Sequence, residues 1–486
     1  MRPILKLLSE ELKTRILDEA LSVLSGLGVE VHNPGLVELL AANGAAVDRA
    51  RNRVLLPEAV VRKALATAPR SFKLHDVLGD QTHDFSGDNV YFTPGSAALN
   101  ILDHTTGTMR RPKTRDYVEY ARLVSRLEHL ASQSTAMIPD DVPERVSDSN
   151  RLYLSLLYCE KPVVTGCFTV DSFRVMKDMQ VAVRGTEREL AAKPLCIFSC
   201  CPTAPLKWSN VTSQNVVDCT RSGIPVEFIS MPLSGFMAPV TLTGTLIQHT
   251  AETLSGVVIS QVVSPGGPVL YGGSPAVFDI RRETTPMGAI ETMMTDCAYA
   301  EIGRSLCLPT QAYISLSDAK LLDAQAGLET GIGAVLAALA GVNSISGPGM
   351  LDFESCQSLE KLVLDNEICG MALRLARGIE PKEDFPATAL FEEMLKERHL
   401  LIARHTRKWL KTEHFFPGPV IDRANRGRWQ QEGSLTLGER ARREKERLIA
   451  AWQPSRLAED KKQELTRLMA AEAKRHGMDH LPALPA

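Results

Sequence analysis

An alternating run in the second half of the chain offers polar groups for substrate binding. In residues 311–317, polar or amphipathic side chains (Gln311, Tyr313, Ser315 and Ser317) alternate with apolar ones. A period of two places these sets on opposite faces of a β-strand. The apolar face would pack on helices, and the polar face would point into a binding site.

Two charged residues follow this run directly. Asp318 could orient a substrate or hold a cationic headgroup, or it could cap the N-terminus of a helix. Lys320 could pair with a substrate carboxylate or be an ordinary surface lysine. The spacing leaves both interpretations open for each residue.

Other ionisable groups fall within apolar stretches. Glu227 has apolar neighbours, so it must be paired or hydrogen-bonded if it is buried, either in a cation site or in a structural ion pair. His249 and Glu252 lie about one helical turn apart, which suits acid–base chemistry or a buried structural bond. These two residues alone would make an incomplete metal site.

Aromatic residues and glycines recur where apolar runs end. The aromatic residues are Tyr91, Phe92, Phe228, Tyr271, Tyr313 and Phe353. Aromatic faces attract quaternary ammonium groups. Gly272 and Gly347 would allow a ligand to approach the backbone closely. Core packing and ordinary turns explain each of these residues equally well.

The elements that would position these groups form a repeating pattern. Eight β-runs alternate with helical patterns, at residues 90–96, 130–138, 162–168, 195–201, 225–231, 268–273, 309–317 and 344–349. Such alternation predicts an α/β fold, a (β/α)8 TIM barrel, whose active site lies at the C-terminal ends of the strands. A doubly wound sheet is the alternative, but no G-x-G-x-x-G motif follows a strand.

The flanking regions differ from the barrel pattern. Residues 1–88 are predicted to form an N-terminal helical cap with a small β hairpin, and residues 89–380 the barrel. Residues 381–486 are predicted to form a C-terminal helical and extended segment that packs on the barrel. Within these regions we expect helices at 9–26 and 388–411, a hairpin at 47–56, a capping box at Thr436 and Glu439, and a last helix ending near His476.

Composition narrows the class of protein. The chain has 486 residues and a net charge of -3, with no basic excess typical of nucleic-acid or membrane-surface binding. No signal-peptide pattern is present, and the most apolar window, residues 331–345, is too short to span a bilayer. Ten scattered cysteines without a C-x-x-C pair favour reduced, buried thiols in a cytoplasmic protein over a zinc site.

The chain resembles the corrinoid-dependent trimethylamine methyltransferase family over nearly its whole length. The first matching segments are Val90-Tyr-Phe-Thr-Pro-Gly95, residues 231–241, Ala251-Glu252, residues 261–266 and residues 268–272. The others are Gly288-Ala-Ile-Glu291, Ser317-Asp-Ala-Lys320, residues 323–327, residues 362–365 and residues 416–423. Each segment is weak alone, and together they are specific.

The resemblance implies a reaction and a partner. Family members are similar barrels that move a methyl group from a methylated amine to the Co(I) corrinoid of a separate corrinoid protein. The chain itself is therefore expected to bind no cofactor and no metal, and to need no protein nucleophile. Archaeal trimethylamine members carry pyrrolysine, whereas this chain has only standard residues. The resemblance is thus to the branch that demethylates quaternary amines such as glycine betaine or carnitine.

Barrel position, rather than the family, supplies the expected substrate site. The candidates are Tyr91, Phe92, Glu227, Phe228, Tyr271, Gly272, Tyr313, Ser315, Ser317, Asp318 and Gly347. Two alternatives remain open at this point: a barrel lyase or decarboxylase acting on a small acid, and a non-catalytic protein that binds methylated amines. The charged C-terminal helices are compatible with a homo-oligomer.

Overall fold

Eight parallel strands close into a barrel, which confirms the predicted fold class. Residues 2–484 are described by the computed structural model. In chain order the barrel strands are Tyr91–Thr93, Gln133–Ser134, Val163–Thr165, Cys196–Cys200, Val226–Ser230, Val269–Gly273, Gln311–Tyr313 and Ser344–Ser346. Strands two to six form one sheet, and strands seven, eight and one form another. Parallel bridges from Phe92 to Leu130 and from Tyr271 to Thr310 join the two sheets into a closed ring.

Each strand lies within a predicted β-run but is shorter than it. The second run, residues 130–138, contains a strand of two residues together with single bridges at Leu130 and Met137. The backbone there is extended, but only part of it forms continuous ladder hydrogen bonds before it diverges into a loop. Periodicity reports which residues are extended and does not report which of them pair.

Helices cover the outside of the barrel. Those that follow the strands are Thr114–Val124, Glu144–Tyr158, Ser172–Arg184, Glu187–Ala192, Asn210–Arg221, Leu242–Val263, Ile290–Ser305, Ala324–Ala340 and Leu359–Ala376. The main hydrophobic core fills the layer between these helices and the strands. Leu254, Val257 and Ala298 are among its buried residues.

The N-terminal region combines helices with two small sheets. Its elements are Glu10–Gly26, Val29–Val31, Pro34–Ala42, Ala46–Asp48, Arg53–Leu55, Glu58–Thr67, Lys73–His75 and Gln81–Asp84. The expected first helix and hairpin are both present. The hairpin formed by the last two strands was not foreseen. Its Leu74, with Phe85, packs on the barrel residues Val164, Ile197 and Leu270 and thereby closes the N-terminal end of the barrel.

Short strands elaborate the opposite end, where the barrel strands finish. They are Asn100–Asp103, Thr108–Arg110, Lys207–Trp208, Leu233–Ser234, Ala276–Val277, Met350–Leu351 and Cys356–Gln357. The hairpin after strand eight pairs with the hairpin after strand one, and the loops after strands five and six pair with each other. These pairings form a rim above the strand ends.

The C-terminal helices are Thr388–Glu397, Arg404–Glu413, Arg426–Gln431, Leu437–Ala450 and Glu459–Arg475. The capping box at Thr436 and Glu439 is present, as predicted. The predicted helix 388–411 is instead two helices, because Arg398 adopts a left-handed conformation (φ 60°) that ends the first one. The last two helices pack on the barrel, and so does the connection between them, where Trp452 Nε1 donates to the carbonyl of Tyr158 at 3.0 Å. The domain boundaries at 88 and 380 stay predictions.

Within residues 2–484, none of the helices combines the length and the apolar character needed to cross a bilayer.

Candidate functional site

A cavity of about 320 Å³ lies at the C-terminal ends of the barrel strands. Every strand or the turn after it contributes to its wall: in strand order Ser96, Thr135, Phe168, Ser199, Met231, Ser274, Tyr313 and Glu354. Larger clefts lie on the outer surface, away from the strand ends. Because substrates of such barrels bind at the strand ends, this cavity is the candidate active site.

Strand seven presents its polar face to the barrel interior, as its alternation predicted. Gln311 accepts a hydrogen bond from the backbone N–H of Gly273 at 3.1 Å. Tyr313 lines the cavity, and its hydroxyl lies 3.5 Å from the Ser96 hydroxyl. The intervening Ala312 and Ile314 are buried in the core outside the barrel. Tyr313 is therefore an aromatic wall of the site.

Glu354 reaches the cavity from a strained turn after strand eight. Asp352, Phe353 and Glu354 have φ values of 50°, 55° and 68°, so three successive non-glycine residues adopt the left-handed region. Strain of this kind persists where the surroundings enforce it, and it concentrates at functional sites. Burial raises the pKa of Glu354 to about 8, so the free cavity holds a largely neutral carboxyl group at pH 7.

Glu354 was not among the residues expected from the sequence. Phe353 was noted there for its aromatic ring, which instead packs under the ammonium group of Lys320, 3.7 Å from the ring centroid. In a sequence, a carboxylate in a short polar turn is typical of the solvent-exposed surface. The backbone conformation of the turn directs this side chain into the cavity, and the hydrophobic periodicity of the sequence does not predict that conformation.

Glu227 lies inside the barrel and has no cationic partner among the described residues. It accepts a hydrogen bond from Ser199 Oγ at 2.6 Å, and its other carboxyl oxygen has no protein partner. Burial raises its pKa to about 7. The structural ion pair considered above is thus absent from residues 2–484, and without a cationic neighbour burial favours the neutral form of the carboxyl group.

Polar atoms without protein partners continue this interior surface. They are Gln311 Nε2, Ser315 Oγ and Ser346 Oγ, and on the neighbouring helix Ile290–Ser305 both carboxyl oxygens of Asp296 are buried without a protein partner as well. Asp296 is fully buried, which raises its pKa well above the usual range, and the nearby Glu354 raises it further. Buried polar groups need hydrogen-bond partners, so these atoms are suited to ordered water or to a polar ligand.

A buried cation also lines the cavity. Arg151, on the helix Glu144–Tyr158, donates to Asp148 at 2.7 Å and to the carbonyl of Thr135 at 3.2 Å. The same Asp148 accepts from the backbone N–H of Phe168 at 2.7 Å, and the guanidinium carbon lies 5.1 Å from the centre of the Phe168 ring. Sequence reasoning missed Arg151, because an arginine on a barrel helix ordinarily faces solvent.

Two cysteines complete the wall without offering a nucleophile. Burial raises the pKa of Cys201 to about 12 and that of Cys167 well above its usual range. A thiol of this kind stays protonated at neutral pH, and only the thiolate is strongly nucleophilic.

Four of the expected aromatic residues lie outside the cavity. Phe92, Phe228 and Tyr271 point outwards into the layer between strands and helices. Phe228 packs edge-on against Trp208, and the hydroxyl of Tyr271 donates to Thr250 at 3.1 Å. Tyr91 lies near the closed end, where its ring contacts His83 and Phe85. Phe92, Phe228 and Tyr271 occupy outward-facing positions of their strands, whereas Tyr91 lies at the end of the barrel opposite the cavity.

The residues after strand seven use their polar side chains to bind other parts of the protein. Asp318 accepts hydrogen bonds from the backbone N–H groups of Met287 and Gly288 at 2.9 and 2.8 Å, and burial raises its pKa to about 6. The helix-cap interpretation of Asp318 is wrong, because Asp323 caps the following helix. Ser317 donates to Glu329 at 2.6 Å.

Three backbone positions shape the same region without supplying side chains to the cavity wall. Ser315 is buried with φ 72°. A Cβ on Gly272 would lie 2.4 Å from Gln311 Oε1, and a Cβ on Gly347 would lie 2.4 Å from the carbonyl oxygen of Ile314. These glycines therefore permit close packing between neighbouring strand ends.

His249 and Glu252 do not bond to each other. His249 Nε2 lies 3.0 Å from the carbonyl oxygen of Gly272, and Glu252 accepts from Ser230 at 2.6 Å and from the backbone N–H of Leu206 at 2.9 Å. Both are buried among structural partners. The part of the chain that is described contains no group of three or more His, Cys, Asp or Glu residues placed to hold a metal ion.

Comparison with known proteins places the chain in a family. The family model described as Trimethylamine methyltransferase (MTTB) matches residues 1–477. A trimethylamine methyltransferase of Methanosarcina thermophila is 32% identical, over 88% of this chain and 89% of the relative. A glycine betaine methyltransferase of Desulfitobacterium hafniense is 28% identical over 98% of both chains. Among solved structures, the monomethylamine methyltransferase of Methanosarcina barkeri covers 98% of this chain and 95% of its own, at 11% identity and a TM-score of 0.45.

Proposed function

Because the chain belongs to the trimethylamine methyltransferase family, we propose that it demethylates a quaternary amine such as glycine betaine, carnitine or a related betaine. The acceptor is the Co(I) corrinoid of a separate partner protein. The chain is a methyltransferase, as are the relatives it matches. The glycine betaine enzyme among them matches 98% of this chain, and the chain's sequence contains no pyrrolysine.

The cavity's combination of groups is the observation that carries this proposal. Phe168 and Tyr313 supply aromatic faces, and Glu354 supplies a carboxyl group, which together suit an ammonium ion. Arg151 uses three of its five N–H groups on partners within residues 2–484, so the other two can bind a substrate carboxylate. A ligand that carries both a quaternary ammonium and a carboxylate meets all of these groups.

The residues present fit a reaction in which the protein supplies position rather than a nucleophile. The corrinoid of the partner, when docked, supplies the Co(I) nucleophile. A neutral tertiary amine leaves, so no proton donor is needed at nitrogen. The cavity residues orient the methyl group and exclude water.

The rim around the cavity provides a face for the corrinoid protein. Exposed apolar side chains cluster on the loops after strands three and five: Phe168, Met231, Phe236, Met237 and Val240. Phe236 also stacks on Phe278 from the loop after strand six, with ring centroids 4.9 Å apart. Contiguous exposed apolar surface marks interaction sites, and here it borders the cavity mouth.

A second apolar surface supports a homo-oligomer. Leu395, Leu401 and Ile402 lie on or between the helices Thr388–Glu397 and Arg404–Glu413, and Phe385 lies just before the first of them; each is at least 68% exposed. The first of these helices carries Glu392, Glu393 and Glu397, and the second carries mainly basic residues. A second copy in antiparallel orientation would cover the apolar side chains and match the charges. We assign this surface to self-association in a cytoplasmic enzyme.

A spectral assay tests the proposed reaction. Purified protein is mixed with a reduced corrinoid protein and with glycine betaine, carnitine, choline or trimethylamine in turn, and the Co(I) absorbance is followed. The proposal predicts loss of that absorbance with a carboxylate-bearing quaternary amine. Turnover with trimethylamine alone would contradict the substrate assignment.

Binding measured by calorimetry separates the remaining alternatives. Ligand binding without methyl transfer, across several corrinoid partners, would favour a non-catalytic binding protein. No binding of any amine would favour a different barrel chemistry, such as a lyase. Both outcomes would reject the proposed reaction.

A further inference from the structure

Lys320 lies outside the cavity and contacts the turn that carries Glu354. Its ammonium group donates to the carbonyl of Asp318 at 2.7 Å and lies 3.2 Å from Asp352 Oδ1. It also lies 3.7 Å from the centroid of the Phe353 ring. A single lysine thus touches the two residues that precede Glu354 and the loop after strand seven.

The turn needs an external restraint. Three consecutive left-handed residues without glycine cost free energy, about 1–3 kcal/mol each, and such a turn relaxes unless its surroundings oppose this. The backbone restraints are the antiparallel pairing of Met350–Leu351 with Cys356–Gln357 and two hydrogen bonds of 3.0 Å, from Asp352 N–H to the Ala319 carbonyl and from Ser355 N–H to the Asp352 carbonyl. The side-chain restraints are the bond from Ser355 Oγ to Asp352 at 2.7 Å and Lys320. Of these, Lys320 is the one that engages both Asp352 and Phe353 by its side chain.

The location of the turn gives this restraint a functional consequence. Glu354 is the carboxyl group that the turn directs into the cavity. The pKa values of Cys201, Tyr313 and Asp296 respond to the charge of Glu354, and none of these groups supplies a positive charge to hold the carboxyl group in place. The position of Glu354 therefore depends on its own backbone.

We propose that Lys320 is a positioning residue, which holds the turn 352–354 so that Glu354 faces the substrate's ammonium group. This inference rests on the proposed function and extends it to a residue that does not line the cavity. The ammonium group of Lys320 holds Asp352 by an ion pair and Phe353 by a cation–π contact, so one side chain restrains two residues of the turn.

The first experiment measures the turn without any ligand. Amide hydrogen exchange of residues 350–356 is compared in the full-length wild type, Lys320→Met, Lys320→Arg and Lys113→Met. Lys113 forms a 2.7 Å ion pair with Asp140, with exposure similar to that of the Lys320–Asp352 pair (48% and 30%, against 54% and 25%), and is a matched control. We expect faster exchange at the turn in Lys320→Met alone. Unchanged exchange in this variant would overturn the proposal, whatever the substrate is.

The second experiment measures recognition. KM and kcat for glycine betaine are determined in the same variants and in Glu354→Gln, with and without Lys320→Met. We expect Lys320→Met to raise KM about tenfold, through loss of one ion pair and one cation–π contact, and Lys320→Arg to restore most of it.

The two substitutions should not be additive. In the Glu354→Gln background, Lys320→Met should change KM little, because the group that it positions is already gone. Additive effects, or a lower melting temperature with an unchanged KM, would show a merely structural lysine and overturn the proposal. If the wild type binds no amine at all, the proposed function fails, while the exchange experiment still decides whether Lys320 holds the turn.

Discussion

Asp148 and Arg151 form an ion pair of 2.7 Å in which each side chain is 1% exposed. A buried charge left without its partner is strongly destabilising, typically by about 3–5 kcal/mol. We therefore expect Asp148→Asn to lower the free energy of unfolding by about 3 kcal/mol, as measured by denaturant titration. Glu464→Gln is the control, because it breaks a largely exposed pair with Arg467 and should change the stability by less than about 1 kcal/mol. Equal effects of the two substitutions would contradict the assignment of a buried pair.

Arg151 should determine the preference for a carboxylate on the substrate. Since removing Arg151 alone would strand Asp148, the double variant Asp148→Asn/Arg151→Met removes both charges together. We expect it to weaken glycine betaine binding by about tenfold or more, and to change tetramethylammonium binding by less than about threefold, because only the first ligand carries a carboxylate. Calorimetry with the two ligands measures this, and parallel losses for both would exclude the role of Arg151.

The sequence predicted the barrel well, because burial of strands and helices follows local periodicity. Tyr313 was placed correctly for the same reason, since alternation along strand seven identifies its inward face. Phe228 and Tyr271 were misplaced because a fully buried strand is apolar on both faces, so its pattern does not say which face is inside. Arg151 and Glu354 could not be found from pattern at all. The inward direction of Arg151 depends on its i,i+3 pair with Asp148 on the same helix, and that of Glu354 on a strained turn. Neither feature is visible in strand alternation.

Binding of a quaternary ammonium ion should strengthen as pH rises. The pKa of Glu354 is raised to about 8, so this group is mostly neutral at pH 6 and becomes charged near pH 8. A cation in the cavity favours the charged form. Affinity for tetramethylammonium, which does not titrate, should therefore rise by up to about tenfold per pH unit below pH 8 and then level off. In Glu354→Gln, the affinity should depend much less on pH. The remaining pH dependence should come from Glu227, whose pKa is about 7. A pH-independent affinity in the wild type would contradict the role of Glu354.

The same group should make the ligand-free enzyme less stable as pH rises. Its folded-state pKa of about 8 exceeds the ordinary value of 4.5, so the folded chain retains a proton that the unfolded chain loses. The stabilising contribution is present below about pH 4.5 and is lost as pH rises through 8. Between pH 5.5 and 8.5, the melting temperature of the wild type should therefore fall more steeply with pH than the melting temperature of Glu354→Gln. A steeper fall of the melting temperature in Glu354→Gln would contradict a raised pKa of Glu354 in the folded chain.

Phe236 on the rim should affect docking of the corrinoid protein rather than amine binding. It is 64% exposed and stacks on Phe278 beside the cavity mouth. We expect Phe236→Glu to raise the concentration of corrinoid protein needed for half-maximal rate by about tenfold or more, since central aromatic residues dominate interface energies. Glycine betaine affinity should be unchanged. Ile4→Glu is the control, because Ile4 is 60% exposed next to Leu5, which bonds to Leu339 at the end of a barrel helix. An equal effect of both substitutions would point to a surface-charge effect instead of a docking face.

Leu401 and Ile402 should belong to the self-association surface. They are 78% and 68% exposed in the connection between an acidic and a basic helix. Two adjacent large apolar side chains in this position do not stabilise a monomer, whereas they would be buried in an interface. Leu401→Glu/Ile402→Glu should shift the mass measured by light scattering from an oligomer to a monomer. Its melting temperature at low protein concentration should stay close to that of the wild type, because neither side chain is buried within the chain. The exposed Leu328→Glu substitution, on a helix after strand seven, should leave the oligomer intact. A wild-type protein that is monomeric at micromolar concentration would reject the surface as an interface between copies.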